Sequence, residues 1–556
     1  MKERLIILGA GVMQGPVIRI AKELGFFTVV LDGSSNAPCV SLADRFEQID
    51  LKDREGIENF ARSLQNSGGL GGIMTAGTDF SASVAWAAER LGLPGIPYEA
   101  ALNASDKSRM RNCFKKAALP SPEFVTISAA RDLETLSLPG GQNRQAPLVI
   151  KPVDNMGGRG CRRADSQAEL REAAADALRF SRSGRAIVES FIEGPEFSVD
   201  AIVYHGEIII CGLADRHIFF PPYFIEMGHT MPTAIAPEKQ EVLLETFRAG
   251  IRALGLAGRE SAGAAKGDIK LSPQGPMIGE IAARLSGGYM SGWTYPYSSG
   301  IEPIRAAILV AAGRRPENLA PLKTWTSAER AFISIPGTVK SISGIDAARN
   351  QSGVKDLFLR IAEGSGVSFP ENNVTKCGNI ISAAPERLSA VESAETAARS
   401  ILIRLDPSDT ETAAFLSAFE SGPNAAGPAF PPDAFQLDAE LRAAFSRLPE
   451  FPPSGDHNPP VYLIPFPEFT ASKLTDYAGR TVKESLEAVR NLSGLSLPEI
   501  LPETGKVSDN KRRPLKTRPE FLEAPAALLG RSFWAALIRG GYQGAVYYID
   551  RQVSGE

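Results

Sequence analysis

Short apolar runs alternate with amphipathic segments over the first hundred residues. Residues 5–8 are all apolar and precede two glycines, residues 16–24 have helical periodicity, and residues 28–31 form the next apolar run. A strand, a helix and a second strand in this order predict a β-α-β unit. Because the alternation continues, we predict an α/β fold that begins with a Rossmann-like domain over residues 1–104, in which helices cover a parallel sheet.

The turn after the first strand allows two interpretations. Gly9 and Gly11 follow the strand, and Asp32 closes the next one about 20 residues later, as in a dinucleotide-binding fingerprint. Gln14 stands where that fingerprint has its third glycine, which has slipped to Gly15. We therefore favour a tight strand-to-helix turn that binds no nicotinamide over an NAD site.

A buried strand that ends in lysine precedes a glycine-rich loop. Residues 148–150 are apolar, Lys151 follows them, and the loop contains Gly157, Gly158 and Gly160. The backbone N–H groups of such a loop can contact phosphate oxygens, while the lysine adds a positive charge. A plain hairpin is the alternative, because the chain returns to extended structure after the loop.

Two carboxylates flank a Gly-Pro turn between two further predicted strands in residues 186–200. Glu189 and Glu196 can accept hydrogen bonds from an adenine amino group and from ribose hydroxyls. The backbone at Phe191 and Ile192 would then contact the adenine edge. The alternative is that both acids are solvated residues beside a turn.

A third predicted hairpin carries acids on both of its strands. With residues 272–276 as the loop, Leu271 faces Met277 and Asp268 faces Glu280. The Cβ atoms of the two acids would lie about 4.5–5.5 Å apart, and opposed like charges destabilise a sheet. The arrangement therefore predicts a divalent cation between the two carboxylates.

Two basic residues share the face of this acidic pair. Period-two alternation places Arg284 on the same side as Glu280, and the register sets Lys266 opposite Ala282. Such a cluster suits Mg²⁺ and phosphate, because the cations neutralise charge on a transferred phosphoryl group. We therefore predict catalytic roles for Arg284 and Lys266. The alternative is a solvated hairpin face, since a slip of one residue would separate the acids.

The order of these motifs resembles that of an ATP-grasp ligase. The likeness covers residues 1–405 and rests on the matching order and spacing of the motifs. It implies an α/β and α+β architecture with an ATP-grasp core. After the Rossmann-like domain come an ATP-grasp small or lid subdomain at residues 105–190 and a large subdomain with the metal site at residues 191–325. A small C-terminal subdomain at residues 326–405 and an extension of unknown role at residues 406–556 follow.

The resemblance also implies a role for each motif. Lys107 and Lys151 would contact the ATP phosphates, and the glycine-rich loop would close over them. Asp268 and Glu280 would hold Mg²⁺, or Mn²⁺ in its place, while Arg284 would stabilise an acyl phosphate. Adenine and ribose would bind at the two acids that flank the Gly-Pro turn.

One departure from the general pattern points to a particular branch of these ligases. Ala282 stands where many members, such as the biotin carboxylases, have asparagine as a third metal ligand. The sequence Glu-Ile-Ala-Ala-Arg followed by Leu-Ser-Gly-Gly is similar to that of the L-amino-acid ligases. By this likeness Gly287 and Gly288 lie at the substrate, and Glu226 and His229 contact its amino or carboxylate group. A structural role is the alternative for the histidine.

The implied reaction joins the carboxylate of an amino acid to an amine. ATP converts the carboxylate to an acyl phosphate, and the amine then displaces phosphate, so that ADP and phosphate are released. No nucleophilic side chain is required, because the protein supplies positioning and charge. The alternatives are a purine-biosynthesis or carboxylase-type ATP-grasp enzyme, and an ATP-binding scaffold that has lost turnover.

Composition and charge exclude several other classes. The 556 residues include 60 Lys plus Arg and 64 Asp plus Glu, a net charge of −4, without the basic excess of a nucleic-acid binder. No apolar run reaches the about 18 residues that span a membrane, so we expect a cytoplasmic protein. The resemblance to ATP-grasp ligases implies small-molecule carboxylate and amine substrates as its partners. Five scattered cysteines without a CxxC pair predict neither a disulfide framework nor a zinc site.

The end of the chain carries weaker signals. We predict helices at residues 438–446, 481–492 and 526–539, and a strand at residues 540–550 that docks on the core or forms a homodimer contact. A basic run at residues 506–518 indicates a solvated loop, with a nucleic acid or an acidic partner as the alternative.

Overall fold

The computed structural model describes residues 2–140, 147–317, 319–419, 430–449, 461–493 and 527–554. The chain forms two compact units. The first comprises Met1–Arg330, Glu371–Val374 and Ile381–Ala394, and the second comprises Ala331–Pro370, Thr375–Ile380 and Glu395–Glu556. All the predicted site residues lie in the first unit.

The N-terminal region has the predicted parallel sheet. Its strands and longer helices are β1 (Arg4–Leu8), α1 (Gly15–Glu23), β2 (Phe27–Asp32), β3 (Arg45–Gln48), α2 (Arg54–Asn66), β4 (Leu70–Met74), α3 (Ser81–Leu91) and α4 (Tyr98–Ser105). The strand order is β3-β2-β1-β4, with parallel neighbours. Residues 5–8 of β1 are fully buried, as expected for a strand covered on both faces. The predicted β-α-β start is confirmed.

The turn after β1 is closed by the side chain of Gln14. Gln14 Oε1 accepts a hydrogen bond from the Gly11 N–H at 3.0 Å, and Gln14 Nε2 donates to the Ala76 carbonyl. Asp32 Oδ2 accepts a hydrogen bond from the Ala10 N–H at 2.8 Å. The backbone and the acid that a dinucleotide would use are thus bound within the protein, which agrees with the tight-turn interpretation.

A second, antiparallel sheet carries the glycine-rich loop. The elements of this region are α5 (Lys107–Lys116), β5 (Phe124–Ile127), α6 (Asp132–Thr135), β6 (Leu148–Pro152), β7 (Arg162–Ala164), α7 (Gln167–Phe180) and β8 (Ala186–Ser190). The strand order is β5-β8-β6-β7, and the glycine-rich loop joins β6 to β7 as a hairpin. Helix α7 starts at a capping box of Ser166 and Glu169 and buries Leu170, Ala173 and Ala177.

The largest sheet carries the acidic hairpin. The elements of this region are β9 (Glu196–Tyr204), β10 (Glu207–Phe219), β11 (Ile225–Met231), α8 (Pro237–Ala253), β12 (Ala262–Ser272), β13 (Gly275–Ala282), α9 (Tyr295–Ser298), α10 (Pro303–Ala311) and β14 (Thr326–Phe332). The strand order begins β13-β12-β9-β10-β11-β14, and these neighbours are antiparallel.

Helix α8 determines which face of β12 is buried. An added Cβ on Gly267 would lie 2.5 Å from Cε2 of the buried Phe247 ring of α8. Gly267 therefore faces the core, where Ile269 is also fully buried. By alternation, Lys266 and Asp268 project from the opposite face of the strand.

Strands β12 and β13 pair in the register that places Asp268 opposite Glu280, as predicted. The turn between them is shorter than the predicted five-residue loop. It consists of residues 273–274 alone, because Ser272 stays in the ladder opposite Gly275. The Ser272 hydroxyl donates a hydrogen bond to the Gly275 carbonyl at 2.8 Å and so closes the turn.

A β-bulge compensates for the shorter turn. Leu271 faces Pro276, so the predicted pairing of Leu271 with Met277 is wrong. The register shifts by one residue after Asp268, where Gly279 is the extra residue on β13. The bulge restores the predicted pairing of the two acids.

The later part of the chain contains two small sheets. Its elements are β15 (Gly337–Ser343), α11 (Ile345–Asn350), β16 (Val354–Leu359), β17 (Gly366–Val367), β18 (Gly378–Ala384), α12 (Arg387–Ser400), β19 (Leu402–Leu405), α13 (Thr410–Ser417), α14 (Ala439–Ser446), β20 (Val461–Leu463), α15 (Pro467–Thr470), α16 (Val482–Ser493), β21 (Ala527–Leu529) and α17 (Arg531–Ser554). Strands β17-β15-β19 are antiparallel, and β20 and β21 are parallel. Helices α14 and α16 confirm two of the predicted helices.

The strand predicted at residues 540–550 is wrong. Helix α17 continues through this segment and bends at Gly541, whose φ is 62°. Trp534, Ile538 and Ala545 are buried together in the apolar core of the second unit. Their spacing is helical, and this longer periodicity prevails over the local run of aromatic and β-branched residues.

Other predictions for this part of the chain have mixed outcomes. Helix α17 begins at Arg531, after β21, and not at residue 526 as predicted. The basic run at residues 506–518 lies outside the described residues. All five cysteines are unpaired, as expected. Within the described ranges, no helix is both long and apolar enough to cross a membrane.

We expect Gly267→Ala to lower the free energy of unfolding by about 1–3 kcal/mol, because the added methyl group overlaps the Phe247 ring. Urea titration monitored by tryptophan fluorescence measures the change. Gly33→Ala is the matched control, since its nearest neighbour is Asp50 Cα at 3.9 Å, and its effect should stay within about 1 kcal/mol. Equal stabilities of the two variants would contradict this account of the hairpin.

Candidate functional site

Each acid of the hairpin lies next to a lysine. Asp268 accepts a hydrogen bond from Lys266, and Lys107 Nζ lies 3.5 Å from Oε1 of Glu280. Burial tends to raise the pKa of Glu280, but the charges of Lys107, Lys266 and Lys151 outweigh it and lower the pKa to about 2. Glu280 is therefore a carboxylate at neutral pH.

Lys107 connects the acidic hairpin to the glycine-rich loop. It is the first residue of α5, which starts there because the Asp106 carboxylate accepts hydrogen bonds from two N–H groups of the first turn, at 2.8 and 3.0 Å. Lys107 Nζ also donates to the Asn155 carbonyl at 2.9 Å. The lysine thus lies between the loop and Glu280.

The glycine-rich loop needs its glycines for conformational reasons. Gly157, Gly158 and Gly160 have φ values of 71°, 76° and 68°, in the left-handed region that favours glycine. The Gly157 carbonyl accepts a hydrogen bond from the Asn373 N–H at 2.8 Å. The glycine-rich loop is the connection of the hairpin between β6 and β7, and its contact with phosphate stays a prediction.

Glu189 lies in the middle of the four-stranded sheet and is 1% exposed. Its Oε1 accepts a hydrogen bond from Arg111 Nε at 2.7 Å, and its Oε2 accepts one from Lys151 Nζ at 2.8 Å. Burial tends to raise its pKa, but the two basic groups outweigh burial and lower the pKa to about 2. Arg111 Nη2 also donates to the Gly279 carbonyl at 2.6 Å, which joins this buried cluster to the bulge of the hairpin.

Arg216 on β10 lies among three carboxylates. It donates hydrogen bonds to Glu196 on β9 and to Glu226 on β11, and its Nη1 lies 2.9 Å from Oδ1 of Asp268 on β12. Only 10% of its side chain is exposed. Burial tends to lower its pKa, but the Asp268, Glu226 and Glu196 carboxylates outweigh it and raise the pKa well above the usual value. Arg216 therefore keeps its positive charge.

The backbone predicted to contact adenine lies beside Lys270. Lys270 Nζ donates to the Ile192 carbonyl at 3.0 Å, lies 4.8 Å from the centre of the Phe191 ring, and lies 3.9 Å from Oε2 of Glu196. The Phe191 ring stacks on Phe224 with 6.2 Å between ring centres. The structure thus brings Phe191, Ile192 and Glu196 together.

Glu226 and His229 are neighbours on β11. His229 is fully buried, with Nδ1 3.2 Å from Oε2 of Glu329 and 3.8 Å from Oε1 of Glu226. Its Nε2 lies 3.1 Å from the Thr294 hydroxyl. Burial tends to lower the pKa of His229, but the two glutamates outweigh it and raise the pKa. Of Glu226 and His229, Glu226 is the one with exposed surface, at 15% of its side chain.

The loop after β13 carries the other predicted substrate residues. Arg284 Nη1 donates to the Leu285 carbonyl at 3.1 Å, while its buried Nε lacks a hydrogen-bond partner among the described residues. An added Cβ on Gly288 would lie 3.6 Å from Oε1 of Glu226, so this glycine borders that carboxylate. An added Cβ on Gly287 would lie 3.3 Å from the Gly77 carbonyl oxygen, so Gly287 lies against Gly77.

The buried residue Asp200 on β9 holds the loop after β13 through Ser286. Its carboxylate accepts hydrogen bonds from the Ser286 N–H at 3.0 Å and from the Ser286 hydroxyl. Burial raises the pKa of Asp200 to about 6 in spite of these hydrogen bonds. Because Ser286 lies between Arg284 and the two glycines, Asp200 restrains the position of all three.

The opposed carboxylates of Asp268 and Glu280 fit a metal that binds together with phosphate. Asp268 Oδ1 is buried, and no described donor is aligned to hydrogen-bond with it, although Arg216 lies close by. Among the residues that the structure describes, no group of three or more His, Cys, Asp or Glu side chains is placed to hold a metal ion. Mg²⁺ in nucleotide sites commonly takes one or two carboxylates and completes its shell with water and phosphate oxygens. The donors present therefore suit Mg²⁺ held jointly with a nucleotide.

Arg111, Arg216 and Glu329 were not predicted from the sequence. Each is a charged residue within a helix or strand, and this is the signal that could have identified them. Arg111 and Glu329 are buried. Their partners could not be identified in the same way, because they are distant in sequence. Arg111 and Glu189, for example, are 78 positions apart.

Three family models match the chain. An ATP-grasp N-terminal domain matches residues 18–95, an ATP-grasp domain matches residues 144–291, and the L-amino acid ligase C-terminal domain 2 matches residues 331–406. The ATP-grasp match contains the glycine-rich loop and both acids of the hairpin.

Two relatives illustrate the range of similar sequences. The y4rH protein of Sinorhizobium fredii is 25% identical over 372 residues, which are 66% of this chain and 75% of that protein. Carnosine synthase 1 of Gallus gallus is 25% identical over 335 residues, which are 57% of this chain and 36% of that protein. The chain thus matches about a third of the length of the carnosine synthase.

The L-amino acid ligase from Bacillus licheniformis has a similar structure. It superposes with a TM-score of 0.62 at 21% sequence identity, over 73% of this chain and 99% of that one. At this level of identity the likeness shows a common ATP-grasp fold. The three family models show that this chain contains an ATP-grasp N-terminal domain, an ATP-grasp domain and an L-amino acid ligase C-terminal domain 2, and its fold resembles that of an L-amino acid ligase.

Proposed function

We propose that the protein is an ATP- and Mg²⁺-dependent ligase that joins the carboxylate of an amino acid to an amine, with release of ADP and phosphate. The observation that carries the proposal is the pair of opposed carboxylates, Asp268 and Glu280, with Lys107 and Arg216 next to them. Phosphoryl transfer to a carboxylate requires metal ligands and cations in one place. This cluster supplies both.

Basic side chains outnumber acidic ones in and around the cluster. Apart from the buried pair of His229 and Glu329, ion pairs within 4 Å connect six basic groups with five acidic groups. They are Lys107, Arg111, Lys151, Arg216, Lys266 and Lys270, and Glu189, Glu196, Glu226, Asp268 and Glu280. The excess of positive charge supports the binding of a polyanion such as a nucleoside triphosphate.

In the proposed first step, a substrate carboxylate oxygen attacks the γ-phosphorus of ATP, and ADP departs. Lys107 and Lys151 are near enough to the acids and the glycine-rich loop to neutralise phosphate oxygens. When bound, Mg²⁺ would withdraw charge from the transferred phosphoryl group. The glycine-rich loop would exclude water, which protects the acyl phosphate from hydrolysis.

In the proposed second step, the amine nitrogen bonds to the carbonyl carbon of the acyl phosphate. Phosphate departs and takes up the proton that the amine releases. The guanidinium of Arg284 would stabilise the negative charge on the carbonyl oxygen, and its unpartnered Nε supports this role. We infer no covalent role for a protein side chain.

Several contacts support an amino acid as the substrate. Glu226 presents a partly exposed carboxylate that can bind an ammonium group, and Gly288 leaves space next to it. His229 is fully buried, so in this proposal it orients Glu226 from behind. The likeness to the L-amino acid ligases and to carnosine synthase 1 supports the same substrate class.

The proposed subdomains follow the sheets. The four-stranded sheet and its glycine-rich loop lie within residues 105–190, which supports a lid role for that part. The acidic hairpin lies within residues 191–325, which supports a metal site there. Residues 326–405 largely coincide with the match to the L-amino acid ligase C-terminal domain 2.

Glu189 has a proposed role in addition to its contact with adenine. Both of its carboxylate oxygens are paired, one with Arg111 and one with Lys151. These pairs support a role in orienting Lys151 toward the nucleotide phosphates. The adenine contact itself stays a prediction.

We expect Glu280→Gln to reduce phosphate release from ATP at least about 100-fold, because an amide is a weak Mg²⁺ ligand and no longer balances Lys107. The assay measures phosphate with Mg²⁺ over a panel of single amino acids and amino-acid pairs. Glu193→Gln, an exposed acid of the Gly-Pro turn, is the control and should stay within about twofold of the unmodified protein.

The same assay separates the rival functions. Phosphate release that requires bicarbonate or formate and no amino acid would favour a carboxylase-type or purine-biosynthesis enzyme. Binding of ATP without phosphate release over the whole panel would favour the scaffold. Undiminished turnover in Glu280→Gln would refute the proposed metal site.

We expect Glu189→Gln to raise the KM for ATP about tenfold and to lower stability by about 3–5 kcal/mol, because Arg111 and Lys151 lose a buried counter-charge. Steady-state kinetics and urea unfolding measure the two effects. Glu172→Gln is the control, since Glu172 is 68% exposed and pairs with Arg162 at 3.4 Å. A KM like that of the unmodified protein would argue against the role in orienting Lys151.

A further inference from the structure

We propose that Arg216 is a positioning residue that fixes the metal-binding carboxylate of Asp268 relative to the groups that bind nucleotide and substrate. The inference rests on the proposed function, in which Asp268 holds Mg²⁺, Glu196 contacts ribose and Glu226 contacts the amino acid. It goes further by assigning one side chain that joins these three sites mechanically. The motif order predicted no role for this arginine.

The first support is the placement of Arg216 within the sheet. In the register, Arg216 faces Glu196 on β9, while Asp268 on β12 faces Ser198, the next β9 residue on the same side. Arg216 therefore reaches diagonally past a small serine side chain to the strand beyond its neighbour. Glu226 comes from β11, on the other side of β10. One guanidinium thus spans four adjacent strands.

The second support is the geometry of the guanidinium group. Arg216 donates hydrogen bonds from Nη1 to Glu196 and from Nη2 to Glu226, so its planar fork is fixed between β9 and β11. Nη1 is thereby held 2.9 Å from Oδ1 of Asp268, in an ion pair without hydrogen-bond alignment. A lysine has one charged nitrogen and no planar fork, so it could not keep both of these hydrogen bonds and the ion pair with Asp268. The charge matters, but the shape of the group is what relates the three sites.

The third support is the scarcity of alternatives at Asp268. Its second cation, Lys266, comes from the same strand two residues away. A contact within one strand cannot relate Asp268 to β10 or β11. Arg216 is the described ion-pair partner that does so, because its other carboxylates lie on β9 and β11.

A binding experiment tests this inference without knowledge of the amino-acid substrate. The full-length protein is titrated with ADP, with and without Mg²⁺, in a calorimeter. The ratio of the two dissociation constants is the gain in ADP affinity due to Mg²⁺. This ratio reports how well Asp268 and Glu280 are placed to share the metal with the phosphates, and a general loss of stability would not change it selectively.

We expect Arg216→Lys, which keeps the charge and loses the fork, to reduce the Mg²⁺-dependent gain at least tenfold. Arg387→Lys is the matched control and should leave the gain within twofold. Arg387 pairs with Asp215, the neighbour of Arg216 on β10, whose side chain projects from the opposite face of the sheet. Equal gains in Arg216→Lys and the unmodified protein would overturn the inference.

A second variant retains Arg216 and tests its connection to the substrate side. Glu226 contacts Arg216, and ADP contains no group that would occupy the proposed amino-acid site. If Arg216 transmits position from β11 to Asp268, Glu226→Gln should lower the Mg²⁺-dependent gain at least threefold. An unchanged gain would overturn the inference even if Arg216→Lys fails to fold.

The outcomes also separate this inference from the proposed function. If the unmodified protein binds ADP with no gain from Mg²⁺, the proposed metal site is wrong, and the role of Arg216 falls with it. If the gain is present and survives both substitutions, the metal site stands and only the role of Arg216 is refuted. Loss of the gain in both variants, with the control unaffected, supports the inference.

Discussion

The repulsion between Asp268 and Glu280 is the constraint on which the rest of the site depends. Two carboxylates face each other across neighbouring strands, which costs free energy unless positive charge compensates for it. The protein supplies that charge from Lys266 on β12 itself and from two separate elements, with Lys107 at the start of α5 and Arg216 on β10. Because Lys107 and Arg216 come from distant parts of the chain, full compensation of the acids requires the complete fold. In the proposed function, the same cations would also be available to phosphate oxygens.

The acidic hairpin is fixed in place on both of its faces. On the core side, Gly267 admits the Phe247 ring, so that α8 packs directly against β12. On the site side, the bulge at Gly279 offers its carbonyl to Arg111, which in turn holds Glu189. The bulge therefore has two consequences: it restores the register of the acids and connects the hairpin to the sheet of the glycine-rich loop. A movement of the four-stranded sheet would therefore displace the acidic hairpin through the buried contacts of Arg111 with Glu189 and Gly279.

Local patterns were sufficient to predict some parts of the structure and not others. The pairing of Asp268 with Glu280 could be predicted because a hairpin register depends on nearby residues, although the short turn and the bulge are individually unpredicted and cancel. Arg216 could not be assigned a role, since its partners come from three other strands. The final helix was mistaken for a strand because its tyrosines and β-branched residues favour strands locally, whereas burial at helical spacing decides the outcome.

The alanine at position 282 is consistent with a metal that binds only with its nucleotide. Ala282 faces Lys266 across the hairpin, and Lys266 turns toward Asp268. An asparagine ligand at this position would lie beside an ammonium group that already contacts the acid. In the proposed site, with two carboxylates and no third protein ligand at this position, phosphate oxygens would complete the coordination of the metal. Metal affinity would then depend on nucleotide affinity, and the placement of Asp268 would matter more than in a site with three protein ligands. This dependence would account for the buried contacts that Lys266 and Arg216 make with Asp268.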